Sequence, residues 1–232
     1  MKRVLIKLSG EALSRNTGDI YDNGFVDEVA GEVASLTKAG FEIALVIGAG
    51  NIWRGRQGGV MDRTEADRMG MLATVINAIC MKDAIKRCGV DAHVMSTVPM
   101  YPFAEDYSSD LAKRYLSEGK VVILGCGLGI PYLSTDTTGA VRSAELECDA
   151  MFMAKNVDYI YTADPRIDKT ARKLESIKAS EVLSLNLKAL DATATAFCLS
   201  TGMPIHVFGL TEASDISRAL RGEKSGTVVT PD

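Results

Sequence analysis

The run Arg3-Val4-Leu5-Ile6-Lys7-Leu8-Ser9-Gly10-Glu11 decides how this chain reads. Its opening residues have the pattern of a buried strand. They run into a lysine, a serine and a glycine, which is how an open α/β sheet brings a charge and bare backbone amides to the carboxyl ends of its strands. Ligands of such sheets bind in the crevice outside those ends. Lys7 supplies a point charge suited to phosphate oxygens, and Gly10 lets the backbone approach an anion closely. In isolation the same residues read equally well as a strand that ends in a turn with an exposed lysine.

The arrangement recurs downstream. Phe41 to Ile47 reads as a second buried strand and empties into Gly48-Ala49-Gly50-Asn51-Ile52-Trp53-Arg54-Gly55. Val121 to Leu124 reads as another, followed by Gly125-Cys126-Gly127-Leu128-Gly129-Ile130-Pro131. Between them the spacing predicts helices over Phe25 to Ala39, Thr64 to Arg87 and Glu105 to Leu116, with a strand over Val90 to Met95. The second of these helices is apolar on nearly every face between Met69 and Met81, which marks it as central or as part of a subunit interface. Further on, Ser134-Thr135-Asp136 supplies caps for a helix from about Thr137 to Glu147. Short strands follow at Met151 to Ala154 and Tyr159 to Tyr161, then a long polar connection from Thr162. A helix over Leu190 to Thr201 holds Asp191 in its first turn, Ile205 to Phe208 is a strand, and Thr227 to Val229 closes an edge. The alternation predicts an α/β fold, a three-layer αβα sandwich around a mainly parallel central sheet, in one domain spanning residues 1–232. The glycine loops then gather along one sheet edge as an anion-binding floor. Gln57 to Arg63, polar and glycine-rich, reads as a lid over it.

Composition narrows the functional classes. With 232 residues and 47% hydrophobic content the chain can fill a real core. Net charge is −4 and no basic block interleaved with aromatics occurs, which argues against nucleic-acid binding. Cys80, Cys88, Cys126, Cys148 and Cys198 show no C-x-x-C spacing and read as free thiols of a cytoplasmic protein. Lys2 and Arg3 are followed by only a few apolar residues before Lys7, so neither a signal peptide nor a membrane span is expected. There is no G-x-x-x-x-G-K-[ST] run and no G-x-G-x-x-G run, so phosphate handling here uses neither a Walker-type loop nor a dinucleotide fingerprint.

As a set, four stretches resemble the bacterial uridylate kinases of the amino-acid-kinase fold, which phosphorylate UMP to UDP. They are Lys7-Leu8-Ser9-Gly10-Glu11-Ala12-Leu13, Val46 to Asn51 with Arg54-Gly55, Asp67 to Thr74, and Tyr161-Thr162-Ala163-Asp164-Pro165. The resemblance covers essentially the whole chain. It implies an acceptor half over about 1–150 and an ATP half over about 151–232. It implies that Lys7, Asp191 and Arg54 are catalytic, Lys7 bridging phosphates and Asp191 orienting it. The implied ATP site comprises Lys7, Leu8, Ser9, Gly10, Gly50, Arg54, Lys155, Tyr161 and Asp164, with magnesium carried on the ATP phosphates and no dedicated metal ligands. The implied UMP site comprises Ala49, Asp67, Leu128, Gly129, Ile130, Pro131, Tyr132, Leu133, Ser134 and Thr135, with Asp67 on the ribose hydroxyls.

The resemblance also implies a homohexamer, with GTP as activator at Lys82, Asp83, Lys86, His93 and Lys120 and UTP as inhibitor. Read from the residues alone, Asp191 is first of all a helix N-cap, Asp67 has an alternative as a partner for Arg63 or Arg68, and Lys82 and Lys86 read equally well as a complement to a helix dipole. Three positions depart from the family pattern: Leu128 and Ile130 are apolar where the family usually has polar side chains, and Ala49 stands where glycine is usual. The other functions open to this fold are kinases acting on carbamate, an amino acid or a small phosphate ester, and non-catalytic nucleotide-binding storage or regulatory proteins.

Overall fold

The computed structural model describes residues 2–15, 17–53, 60–165, 167–187, 189–223 and 226–232. In chain order the elements are β1 (Arg3–Leu8), α1 (Gly10–Ser14), α2 (Asn23–Lys38), β2 (Glu42–Ile47), α3 (Arg63–Arg87), β3 (Ala92–Ser96), β4 (Glu105–Asp106), α4 (Ser109–Ser117), β5 (Val121–Gly125) and α5 (Thr135–Glu145). They continue with β6 (Ala150–Lys155), β7 (Ile160–Tyr161), β8 (Lys173–Leu174), β9 (Ser176–Lys178), α6 (Ala179–Ser184), α7 (Ala192–Thr201), β10 (Ile205–Gly209), α8 (Ser214–Leu220) and β11 (Thr227–Thr230). One nine-stranded sheet runs through both halves in the order β4-β3-β5-β2-β1-β6-β10-β11-β9. Every neighbouring pair is parallel except β10 with β11. β7 and β8 form a separate antiparallel pair.

The expected three layers are present. β1 is buried along almost its full length, as a central parallel strand covered on both faces must be. Alternation sorts its side chains: Val4, Ile6 and Leu8 join one apolar cluster with residues of α2, α3 and α8, whereas Leu5 joins a second with residues of α4, α5, α6 and α7. Burial of each large aliphatic side chain in these clusters stabilises the fold by roughly 1.5–3 kcal/mol before ordering costs. Helix α5 packs on the sheet at Gly139. A Cβ built there would lie 2.2 Å from the Met151 methyl carbon, so any larger residue would require the end of the Met151 side chain to move.

Four details differ from the sequence expectation. The first glycine segment is not a loop: β1 continues through Leu8, and Ser9 caps the short α1 by accepting from the Ala12 N–H at 3.2 Å. The helix predicted from Glu105 begins at Ser109, because Glu105 pairs in register with Met95 on the sheet edge and its carboxylate meets the His93 ring and the Tyr115 hydroxyl. The long polar connection after Thr162 contains β8, β9 and α6. Finally, β11 lies inside the sheet, with β9 as the outer strand.

Candidate active site

Lys7 follows Leu5 by two residues and therefore projects to the α5 side of the sheet, where only about 7% of its surface is exposed. A buried ammonium needs a counter-charge. It finds one in Asp136, in the first turn of α5, whose Oδ1 lies 2.7 Å from Lys7 Nζ. The other oxygen of the same carboxylate accepts from Lys155 Nζ at 2.5 Å, at the end of β6. Burial alone would raise the Asp136 pKa, but the two ammonium groups outweigh it and hold the carboxyl below the usual range. Burial pushes Lys155 below the ordinary lysine value, with the charge of Lys7 acting the same way and Asp136 opposing. One carboxylate between two lysines leaves a net positive charge at the end of β1, turned toward a cavity.

That cavity has a volume of about 960 Å³. Its floor is Ser9, Gly10, Gly48, Ala49 and Gly50, and a Cβ on Gly10 would meet the Gly50 nitrogen at 2.7 Å, so the first two glycine segments rest directly on each other. One part of the lining is the 132–136 segment; another is largely apolar and comes from α6 and the turn after it, through Val182, Leu183, Leu187 and Leu190. Asp191 is the N-cap of α7, accepting from the Thr193 N–H at 2.9 Å, and its other oxygen takes the hydroxyls of Ser134 and Thr137. Against burial, which acts the other way, these donors keep its carboxyl below the usual range. A smaller recess of about 150 Å³ adjoins at Ala49, Asp67, Leu133 and Thr135 and is otherwise lined largely by Trp53, Met71, Leu128 and Ile130. Asp67, at the recess mouth, pairs with Arg63 at 2.8 Å and accepts from the Tyr132 N–H at 2.9 Å.

A model of the Amino acid kinase family matches residues 2–209 of the chain. The chain belongs to this family. Among solved structures it is similar to UMP kinase from Bacillus anthracis, with 35% identity and a TM-score of 0.94 over 100% of this chain and 96% of that one. It is equally similar to UMP kinase from Ureaplasma parvum, with 34% identity and a TM-score of 0.93 over 99% and 98% of the two chains. Uridylate kinase from Archaeoglobus fulgidus is 25% identical, with a TM-score of 0.75 over 99% and 100%.

In this amino-acid-kinase chain the structure gathers Lys7, Ser9, Gly10, Ala49, Gly50, Asp67, Tyr132 to Thr135, Lys155 and Asp191 around the cavity, and Leu128 and Ile130 around the recess. Leu8 is a correction: its side chain is fully buried in the α2–α3 cluster, its carbonyl accepts from the Gly48 N–H at 2.9 Å, and it is not among the residues lining the cavity. A second correction concerns Lys7, whose holding carboxylate is Asp136, while Asp191 is engaged by Ser134, Thr137 and Thr193. Gly129, Pro131, Tyr161 and Asp164 are not among the lining residues; the Tyr161 hydroxyl bonds Asp158 at 2.8 Å. Arg54 and positions 57–59 of the expected lid lie outside the described residues.

At the far end of α3, Lys86 pairs with Asp91, His93 with Asp91 and Glu105, Lys120 with Glu118, and Asp83 with Arg87. Sequence reasoning missed Asp136, which read only as a capping residue, and the α6–α7 wall, whose residues come from a stretch that looked like polar connection.

Proposed function

We propose that the chain transfers the γ-phosphoryl group of ATP to UMP to give UDP, in pyrimidine nucleotide biosynthesis. The observation that carries this reading is the Lys7–Asp136–Lys155 cluster facing a glycine floor, in a cavity large enough for two nucleotides and in a chain matched over its whole length by UMP kinases. In-line phosphoryl transfer asks the protein for positioning and for cations beside the transferring group, with little covalent work. Lys7 and Lys155 supply the charge and the glycine segments supply close backbone approach. Among the described residues no group of three His, Cys, Asp or Glu is placed to hold a metal, and both Asp136 oxygens face lysines. The donor set fits phosphate oxygens, and magnesium would arrive on ATP and would supply charge neutralisation to its phosphates.

The apolar α6–α7 wall suits an adenine, with Tyr161 and Asp164 farther out on the same ATP half, and the recess beyond Asp67 suits the acceptor base. A coupled assay with UMP, CMP and uridine as acceptors tests the reading: turnover with UMP supports it, and absence of turnover with any nucleoside monophosphate overturns it. Five free thiols fit the cytoplasmic reading, and no helix among the described residues is long and apolar enough to cross a membrane.

Asp67→Ala is expected to weaken UMP binding and to reduce discrimination against 2′-deoxy-UMP. Loss of a hydrogen bond to a charged acceptor costs roughly 1.5–3 kcal/mol, about 10- to 150-fold in affinity. Isothermal titration with both nucleotides checks this; unchanged affinity with preserved sugar discrimination would leave Asp67 as the partner of Arg63 and Tyr132 only.

The assembly is proposed to be a homohexamer. Met69, Leu72, Ile76 and Ile79 follow one another at three, four and three residues, so they share one face of α3, and Leu72 and Ile76 are each about half exposed (52% and 51%). Sedimentation is expected to give an oligomer that Leu72→Asp/Ile76→Asp dissociates; a wild-type monomer at micromolar concentration would overturn it. The regulatory reading rests on that assembly. GTP at Lys82, Asp83, Lys86, His93 and Lys120 would have to compete with Asp91, Glu105 and Glu118 for Lys86, His93 and Lys120, and UTP would inhibit by competing with the nucleotides of the main cavity.

A further inference from the structure

Asn77, in the middle of α3, is completely buried and its side-chain amide makes four hydrogen bonds. Its nitrogen donates to the Gly48 carbonyl at 2.7 Å and to Asn51 Oδ1 at 2.8 Å. Its oxygen accepts from Asn51 Nδ2 at 3.1 Å and from the Tyr21 hydroxyl at 2.8 Å. The pairing with Asn51 is thus reciprocal, amide against amide, and Asn51 also donates to the Ile20 carbonyl at 2.9 Å. Such an amide has all its donors and acceptors satisfied, which fixes its orientation in a core where a misdirected polar group is costly.

We propose that Asn77, working as a pair with Asn51, is the positioning residue of the glycine floor: it sets the backbone of Gly48 to Gly50 so that this segment accepts a phosphate. The Gly48 N–H is held by the Leu8 carbonyl at 2.9 Å and its C=O by Asn77, so the peptides on both sides of Gly48 are fixed. Across a planar trans peptide the Ala49 N–H points opposite to the Gly48 C=O, hence away from α3. Gly48, Ala49 and Gly50 are also the residues of this segment that line the cavity. The pair governs the neighbouring segment too, because a Cβ on Gly10 would lie 2.4 Å from Asn51 Oδ1 and 2.5 Å from the Gly48 carbonyl oxygen. Asn77 itself does not line the cavity and acts through the loop.

The inference rests on the UMP reading, and the test separates the two. Affinities for UMP and for uridine, which lacks the phosphate, are measured by titration calorimetry on wild type, Asn77→Ala and Asn51→Ala, with circular dichroism to confirm folding. Asn51 is only half-buried, so its variant serves if Asn77→Ala does not fold. The expected result is a loss of tenfold or more in UMP affinity with uridine affinity changed less than twofold, and a double variant no worse than the more affected single one. Parallel weakening of both ligands, or no change in either, overturns the positioning role. A wild type that binds UMP no better than uridine overturns the UMP reading and the inference with it.

Discussion

Lys7→Ala is expected to lower kcat by about a hundredfold or more while ATP affinity changes little. The lysine lines the cavity from the central strand with about 7% of its surface exposed, so its charge acts from a buried position, where electrostatic stabilisation of a developing charge is strong. Removing one such contact typically costs on the order of 3 kcal/mol of transition-state stabilisation, which corresponds to that rate factor. The variant should fold, because Asp136 keeps Lys155 as a partner at 2.5 Å. Steady-state kinetics decide the matter: kcat and kcat/KM should fall together, the mark of an interaction made in the transition state. Near-normal turnover would sink the proposed mechanism.

Asp136→Asn should have the largest effect on stability. It leaves two lysines in a buried site without their shared counter-charge, and breaking a buried ion pair from one side costs roughly 3–5 kcal/mol. For a chain of this size that amounts to about 6–20 °C in the thermal midpoint. The pH dependence has a definite sign. The folded-state pKa of Asp136 lies below its ordinary value of 3.8, so its contribution is fully present above that value and is lost as pH falls through the folded one. Urea midpoints measured from neutral pH downward should therefore show the gap between wild type and variant constant at neutral pH and closing in the acid range. A gap that stays constant into acid, or that is absent at pH 7, would mean the carboxylate is not charged between the two lysines. Activity of any folded variant should fall as well, since both lysines lose the group that orients them.

The sandwich was legible in the sequence because its cause is local. A strand covered on both faces must be apolar at nearly every position, and β1, β2 and β5 each announce this, with glycine following the last strand residue or lying close beyond it. The same holds for α3, whose exposed apolar face at Met69, Leu72, Ile76 and Ile79 was visible as an excess of hydrophobic residues over what one sheet can cover. Short elements failed for the opposite reason. Glu105–Asp106 is a strand only because Met95 and Ser96 lie beside it, and α6 is recognisable as a cavity wall only after the chain returns across the ATP half.

At the site, residue types determined the general chemistry: a lysine at the end of a central strand, glycine segments beside it, and Asp67 near the start of α3. Which carboxylate holds Lys7 was decided in three dimensions. Asp136 and Asp191 look alike in sequence, each at the start of a helix with threonine within two residues, and nothing in that pattern distinguishes a cap from a counter-ion. The choice follows from period-two alternation on β1, which turns Lys7 toward α5, and from the packing of α5 on that face with Asp136 in its first turn. The amide pair of buried Asn77 and half-buried Asn51, 26 residues apart, was likewise invisible until α3 folded against the second glycine segment. Apolar periodicity is written along the chain, whereas the pairing of a buried charge or amide depends on which elements the fold brings within about 3 Å of each other.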